Sequence, residues 1–199
     1  IIRNTGRPMT EGANMSVHPL RAEDCMLMVV DIQQKLFAAM EEGFRDTFLK
    51  NARILIQAAQ GLDLPVVVTE QYSKGLGSTI DEVASVLEGV PRHEKLFFSC
   101  YRDRAIQAAV DGLSRKTVLI LGIETHVCVF QTVLDLLMAG YRVVLADDAV
   151  CSRRAHDRQT ALAELGRAGA LIYSTEMIAF VLLEKAGTQE FRKLSPLFR

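Results

Sequence analysis

The residues between Thr117 and Gly140 read TVLILGIETHVCVFQTVLDLLMAG, and this stretch decides the fold class. Residues 117–121 are an apolar run of strand length, and residues 122–125 form a turn. Beyond the turn, apolar residues recur every three or four positions, which is the period of one helix face, until Gly140 ends the pattern. A strand, a turn and a helix in this order are the repeating unit of a parallel α/β sheet.

Short apolar runs alternate with helical patterns along the rest of the chain. Strands are predicted at residues 26–30, 65–69, 95–98, 117–121, 142–146 and 170–173. Helices are predicted at residues 44–60, 79–87, 103–113, 127–139, 153–168 and 175–184. The alternation predicts the α/β class: a single three-layer, Rossmann-like domain with a parallel sheet of about six strands, in the order 3-2-1-4-5-6, and helices on both faces.

The domain boundaries follow from length and composition. The chain has 199 residues, which is the length of one domain, and we place that domain at residues 24–185. Residues 1–23 are a polar and irregular N-terminal segment, for part of which a tag and a processed leader both remain open. Residues 186–199 are predicted to be a C-terminal tail.

Charge and hydrophobicity argue against several kinds of partner. The 23 Lys and Arg residues nearly balance the 24 Asp and Glu residues, so the net charge is -1 and no nucleic acid is expected as a partner. No apolar run reaches the roughly 18 residues of a spanning helix, so no membrane association is expected. The cysteines form no C-x-x-C pair and no apolar signal-peptide core is present, which indicates reduced thiols and a cytoplasmic protein.

Three familiar ligand-binding motifs are missing from the turns between strands and helices. The turn after the first strand, residues 31–35, reads DIQQK and lacks the glycines of a dinucleotide site. The sequence contains neither the phosphate-binding pattern G-x-x-x-x-G-K-[ST] nor the nucleophile elbow G-x-S-x-G. We therefore expect neither a nucleotide cofactor nor a catalytic serine.

Three chemically active side chains stand at predicted strand ends. Asp31 follows the first strand, Lys95 lies at the third, and Cys128 begins the helix after the fourth. Ligands of open parallel sheets bind at the carboxyl ends of the strands, so these side chains are expected to lie together. The helix dipole and free N–H groups would lower the pKa of the Cys128 thiol, while Asp31 accepts its proton and Lys95 supplies a positive charge.

Each of these residues also has a purely structural interpretation. Cys128 can be a small core residue, Asp31 a residue that ends a strand, and Lys95 a solvated charge. His126 is a poor base for Cys128, because residues two apart on a helix do not face each other.

Several short motifs carry a resemblance to a known family. Residues 31–33 read DIQ, Lys95 is followed by Phe98-Ser99, and residues 122–129 read GIETHVCV. Residues 140–143 (GYRV) and 147–149 (DDA) continue the pattern. Over roughly residues 24–185 the sequence resembles the isochorismatase-like cysteine hydrolase superfamily. Residues 69–72 (TEQY) and 75–77 (GLG) make it most similar to the isochorismatase domain-containing subgroup, which includes proteins described as Mar1-type ribonucleases.

The resemblance implies a set of roles. Cys128 would be the nucleophile, Asp31 the general base and Lys95 the electrostatic partner of both. A cis peptide bond would join Ile123 to Glu124, and the N–H groups of Glu124 and Cys128 would form an oxyanion hole. No cofactor is expected, and no metal, because the histidines of the family's metal-dependent nicotinamidases are missing after the second strand. The residues expected to line the substrate pocket are Gln33, Phe37, Gln71, Tyr72, Phe98, Thr125 and His126.

The sequence therefore predicts a cysteine hydrolase that cleaves an amide, imide or ester bond of a small molecule through a thioester. Two alternatives remain open: a catalytically weak binding or assembly protein on the same fold, and an RNA-cleaving protein. By resemblance the protein is expected to be a homo-oligomer. Apolar residues 175–183, with Phe191, Leu194, Leu197 and Phe198, would supply a subunit contact.

Overall fold

The computed structural model describes residues 20–199, so most of the predicted N-terminal segment lies outside the described residues. The strands are β1 (Cys25–Val30), β2 (Val66–Gln71), β3 (Arg92–Lys95), β4 (Thr117–Ile123), β5 (Arg142–Cys151) and β6 (Leu171–Tyr173). The α-helices are α1 (Gln34–Ala38), α2 (Glu42–Gly61), α3 (Ser73–Leu76), α4 (Asp81–Ala84), α5 (Arg104–Gly112), α6 (Phe130–Met138), α7 (Ala155–Arg167), α8 (Thr175–Leu183) and α9 (Gln189–Leu194). Short 3-10 helices lie at Ala22–Asp24, Cys100–Arg102 and Ser195–Phe198, and a π-helical turn lies at Thr125–Val129.

The strands form one parallel sheet in the order β3-β2-β1-β4-β5-β6, which confirms the predicted fold class and strand order. All six residues of β1 are buried, because this strand lies in the middle of the sheet and helices cover both faces. Gly122 lies next to Val30 of β1, and a Cβ atom at Gly122 would stand 2.1 Å from the Val30 carbonyl oxygen. A glycine is therefore required where β4 and β1 end together.

Two apolar cores lie on opposite faces of the sheet. Alternate residues of β1 point to alternate faces, as the two-residue period of a strand requires. Leu27 and Val29 join the core under α2 and α8, which contains Phe48. Met26 and Met28 join the core under α5 and α6. The helices thus cover the two faces of the sheet but not the ends of its strands.

Three predicted elements differ from the observed ones, and one of them is the fifth strand, which is predicted at residues 142–146 but spans Arg142–Cys151. The third strand runs from Arg92 to Lys95, so its prediction at residues 95–98 is wrong. This strand pairs with β2 alone, at the edge of the sheet, where a polar sequence is tolerated, whereas the apolar residues after Lys95 form an exposed loop. The helix predicted at residues 79–87 is the single turn Asp81–Ala84.

The C-terminal residues pack against the rest of the chain. Leu194 in α9 is buried against Gly61, the last residue of α2. The ring of Phe180 in α8 contacts the rings of Phe191 and Phe198, with centroids 6.3 and 5.4 Å away. Part of the apolar surface predicted to contact another subunit is therefore covered within the chain. No helix in the described part of the chain has the length and apolarity needed to cross a membrane.

Candidate active site

Four neighbouring strands bring their carboxyl ends to one edge of the sheet. Asp31 follows β1, Gln71 ends β2, Lys95 ends β3, and Cys128 lies in the turn after β4. Asp31 adopts the left-handed conformation, with φ of 50°, which asparagine and aspartate tolerate better than most residues. The structure thus brings together the site residues predicted at positions 31, 95 and 128, which lie in three separate segments of the chain.

Lys95 and Asp31 form a fully buried ion pair, with 2.7 Å between Lys95 Nζ and Asp31 Oδ2. The ammonium also donates to Gln71 Oε1 at 2.7 Å and to the carbonyl oxygens of Phe97 and Phe98 at 3.2 and 3.1 Å. Burial alone would lower the pKa of Lys95, but Cys100, Asp31 and Cys128 around it raise that pKa above its usual value. Lys95 therefore remains a cation inside the protein.

Cys128 has a neutral thiol in this environment. Its side chain interacts with the Asp31 carboxylate, and it is 5% exposed, whereas the other three cysteines, Cys25, Cys100 and Cys151, are 0% exposed. Burial and then the charge of Asp31 raise the pKa of Cys128, and Lys95 opposes this only in part. The expectation of a lowered pKa is therefore wrong, because desolvation and the Asp31 carboxylate outweigh the Lys95 charge.

The segment between β4 and Cys128 is held by a buried carboxylate. The peptide bond between Ile123 and Glu124 is cis. The Glu124 side chain is buried and accepts hydrogen bonds from Arg153 Nε at 3.0 Å, from Arg153 Nη2 at 2.8 Å and from the Arg153 backbone N–H at 3.2 Å. Such a bidentate pair fixes the position of Glu124 beside Cys128.

Gln33 and Gln71, which were predicted to line the pocket, form a hydrogen-bond network next to Lys95. Gln33 is fully buried, and its amide nitrogen donates to the carbonyl oxygens of Gln71 at 3.0 Å and Gly77 at 2.6 Å. Its amide oxygen accepts from the Gln71 N–H at 2.7 Å. The amide nitrogen of Gln71 donates to the Leu96 carbonyl oxygen at 2.9 Å. Because these side-chain groups already have partners, Gln33 and Gln71 position Lys95 more than they line a binding surface.

The other predicted pocket residues lie in different surroundings. Tyr72 and Phe98 are about half exposed and lie near the end of β3. Phe37 packs against Phe48, with ring centroids 6.2 Å apart. The hydroxyl of Thr125 is buried and has no hydrogen-bond partner.

His126 is directed toward α7. Its Nδ1 lies 3.0 Å from Ser152 Oγ, and its Nε2 lies 3.9 Å from Asp157 Oδ2. These contacts engage both ring nitrogens with groups other than Cys128. Within residues 20–199 no three His, Cys, Asp or Glu side chains are grouped so as to hold a metal ion.

Two buried residues beside Asp31 make contacts that the sequence analysis did not predict. Thr69 Oγ1 donates to Asp31 Oδ1 at 2.7 Å, and Cys100 Sγ lies 3.5 Å from the same hydroxyl. Their contacts join positions about 30 to 40 apart in sequence that meet only through strand pairing. Thr69 begins the TEQY motif and ends the predicted second strand, and the predicted parallel pairing of β1 with β2 was the signal that could have placed it beside Asp31.

Comparison with known proteins places the chain in a family. The model of the isochorismatase domain matches residues 25–177. The secreted isochorismatase effector Isc1 of Phytophthora sojae (strain P6497) is 38% identical over 178 residues, which are 87% of this chain and 84% of the effector. Isochorismatase domain-containing protein 2A of Mus musculus is 31% identical over 188 residues, which are 94% of this chain and 88% of the mouse protein.

A solved structure shows the same similarity. The MAR1 ribonuclease from Caenorhabditis elegans matches with a TM-score of 0.84 and 32% identity, over 90% of this chain and 92% of that one. The resemblance to isochorismatase domain-containing proteins, which the motifs indicated, is confirmed. Since the family model and these relatives span most of the chain, the protein belongs to the isochorismatase family.

Proposed function

We propose that the protein is a cysteine hydrolase that cleaves an amide, imide or ester bond of a small molecule. Membership of the isochorismatase family supports a hydrolase. The observation that carries the finer proposal is the position of Cys128, which retains 5% exposure and whose thiol interacts with Asp31 of a buried ion pair. A nucleophile beside an oriented base is the arrangement that covalent catalysis requires.

In the first half of the reaction, Cys128 Sγ attacks the substrate carbonyl carbon while its proton passes to Asp31. The N–H groups of Glu124 and Cys128 hold the resulting oxyanion. When the tetrahedral intermediate collapses, the C–N or C–O bond breaks and Asp31 gives its proton to the leaving amine or alcohol. A thioester on Cys128 remains.

In the second half, water hydrolyses this thioester. Asp31 accepts a proton from the attacking water and returns it to Cys128 Sγ as the acid leaves. Lys95 acts throughout by its charge, because its three N–H bonds are occupied by four oxygen atoms and none is left for the sulfur. The proposed chemistry requires only these side chains and water.

The activated ester p-nitrophenyl acetate tests this proposal without knowledge of the natural substrate. We expect a burst of p-nitrophenolate and an acetyl group on Cys128 in the mass spectrum, both lost in Cys128→Ala. Cys25→Ala is the matched control, because Cys25 lies at the opposite end of the sheet and is fully buried. Acetylation elsewhere, or equal bursts in both variants, would favour the non-catalytic binding protein.

The solved relative from Caenorhabditis elegans is described as a ribonuclease. A net charge of -1 favours a small molecule over RNA for this chain, because non-specific RNA binding depends on basic surface. Salt-sensitive retention of single-stranded RNA by the purified protein would reverse this preference.

A further inference from the structure

Thr69 is tied to Asp31 by two hydrogen bonds. The Asp31 N–H donates to the Thr69 carbonyl oxygen at 3.2 Å, which extends the pairing of β1 with β2 by one residue. The Thr69 hydroxyl lies 2.7 Å from Asp31 Oδ1. Both residues are fully buried, so solvent water does not compete for this hydrogen bond.

The direction of each hydrogen bond follows from the number of hydrogens. The Asp31 carboxylate, which is paired with Lys95, can only accept, so the single hydroxyl hydrogen of Thr69 goes to Oδ1. The contact between Thr69 Oγ1 and Cys100 Sγ then requires Cys100 to be the donor. Burial, and then the charge of Asp31, raise the pKa of Cys100 to about 11, so its S–H hydrogen is present at neutral pH.

Cys100 is itself fixed beside the nucleophile. Its backbone N–H donates to Thr132 Oγ1 at 2.9 Å, and that hydroxyl donates to the Cys128 carbonyl oxygen at 2.7 Å. Cys100 therefore has a defined place from which to donate to Thr69. The S–H group sets the rotation of the Thr69 hydroxyl, and the hydroxyl in turn points at Asp31.

We propose that Thr69 is a positioning residue for the general base, and that the Cys100 thiol orients Thr69 for this task. Thr69 holds Oδ1 and Lys95 holds Oδ2, so the plane of the carboxylate cannot turn and Cys128 meets it in one orientation. In this role Thr69 touches neither the substrate nor the Cys128 sulfur. The inference rests on the proposed function, in which Asp31 accepts the Cys128 proton.

The test compares the acylation of Cys128 by p-nitrophenyl acetate in three threonine variants. Thr69→Val, which has nearly the same shape without the hydroxyl, is expected to lower the acylation rate constant about tenfold at an unchanged half-saturating concentration, because only orientation is lost. Thr69→Ser retains the hydroxyl and should restore the rate to within about threefold of the wild type.

Thr175→Val is the matched control. Thr175 is also buried and also donates to a carboxylate at 2.7 Å, that of Asp148, but it lies at the start of α8 and outside the triad. A similar loss of acylation in Thr69→Val and Thr175→Val, or no loss in either, overturns the proposal.

Asp31→Asn separates this proposal from the proposed function. If Cys128 is acylated as fast in Asp31→Asn as in the wild type, the proposed function is wrong. If acylation is slow in Asp31→Asn but normal in Thr69→Val, only the positioning role of Thr69 is wrong. Should Thr69→Val fail to fold, Cys100→Ala and Cys100→Ser decide the question. Serine keeps a donor at this position and alanine does not, so equal acylation rates in these two variants overturn the proposal.

Discussion

At the scale of single residues, opposing effects determine the pKa of the Cys128 thiol. Burial and the Asp31 carboxylate favour the neutral thiol, and the Lys95 ammonium favours the thiolate. The first two are larger, so Cys128 holds its proton at neutral pH. A thiol that stays protonated is also protected from oxidants that attack thiolates.

The pH dependence of Cys128 labelling follows from this balance. Because the pKa of Cys128 is raised, the thiol is protonated at neutral pH, and its rate of alkylation by iodoacetamide should keep rising between about pH 7 and 10. Lys95→Met removes the charge that lowers this pKa, so the same rise should occur at higher pH. Peptide mass spectrometry measures the rate at each pH. A rate that is already constant from about pH 6 would show a resting thiolate and contradict this prediction.

Asp31, Lys95 and Cys128 could be selected from the sequence, but not the residues that hold them. Asp31 and Cys128 come after predicted strands, Lys95 was placed in the third, and the rule that ligands bind at strand ends was enough to group the three. Thr69 was predicted only as the last residue of the second strand, and no role was predicted for Cys100 or Arg153, since an isolated threonine, cysteine or arginine in a sequence is compatible with many environments. Their contacts depend on side-chain orientation, which strand order leaves undetermined.

At the scale of elements, apolar periodicity predicted the central strands and was misleading at the edge. β1 and β4 are buried on both faces and read as continuous apolar runs, so their positions were nearly correct. β3 pairs on one side only and reads RHEK, whereas the apolar LFF that follows is an exposed loop. The carbonyl oxygens of Phe97 and Phe98 accept hydrogen bonds from Lys95. The conformation of that loop is therefore determined by a buried charge and not by burial of its side chains.

The C-terminal helix α9 should contribute to the stability of the domain, because Leu194 is buried against α2. Leu194→Ala is expected to lower the free energy of unfolding by about 2 kcal/mol, at the low end of buried leucine truncations, since a terminal helix can detach locally. Met138→Ala removes a similar side chain that is 80% exposed and should cost less than about 0.5 kcal/mol. Urea denaturation followed by circular dichroism measures both variants. Equal unfolding free energies would mean that α9 does not stabilise the domain.

At the scale of the whole molecule, the distribution of exposed apolar side chains bears on its assembly. The sequence assigned a subunit contact to α8 and the C-terminal residues, but Leu194 is buried within the chain and Phe180 contacts two rings of its own tail. The loop after β3 is more exposed: Leu96 is 72% exposed and Phe97 is 56% exposed. Adjacent apolar side chains of this kind favour a protein contact, and here the contact would lie directly outside Lys95.

We therefore expect a homo-oligomer in which this loop is covered by another copy of the chain. Light scattering at low micromolar concentration should give a multiple of the 22.1 kDa chain mass, and Phe97→Asp should reduce it toward the monomer because a buried aspartate loses its hydration. The substitution leaves the Phe97 carbonyl oxygen in place for Lys95. Val181→Asp, on the exposed side of α8, tests the contact that the sequence suggested. If only Val181→Asp dissociates the oligomer, the subunit contact lies at α8 and not at the loop. If the wild type is monomeric, neither surface binds a second copy of the chain.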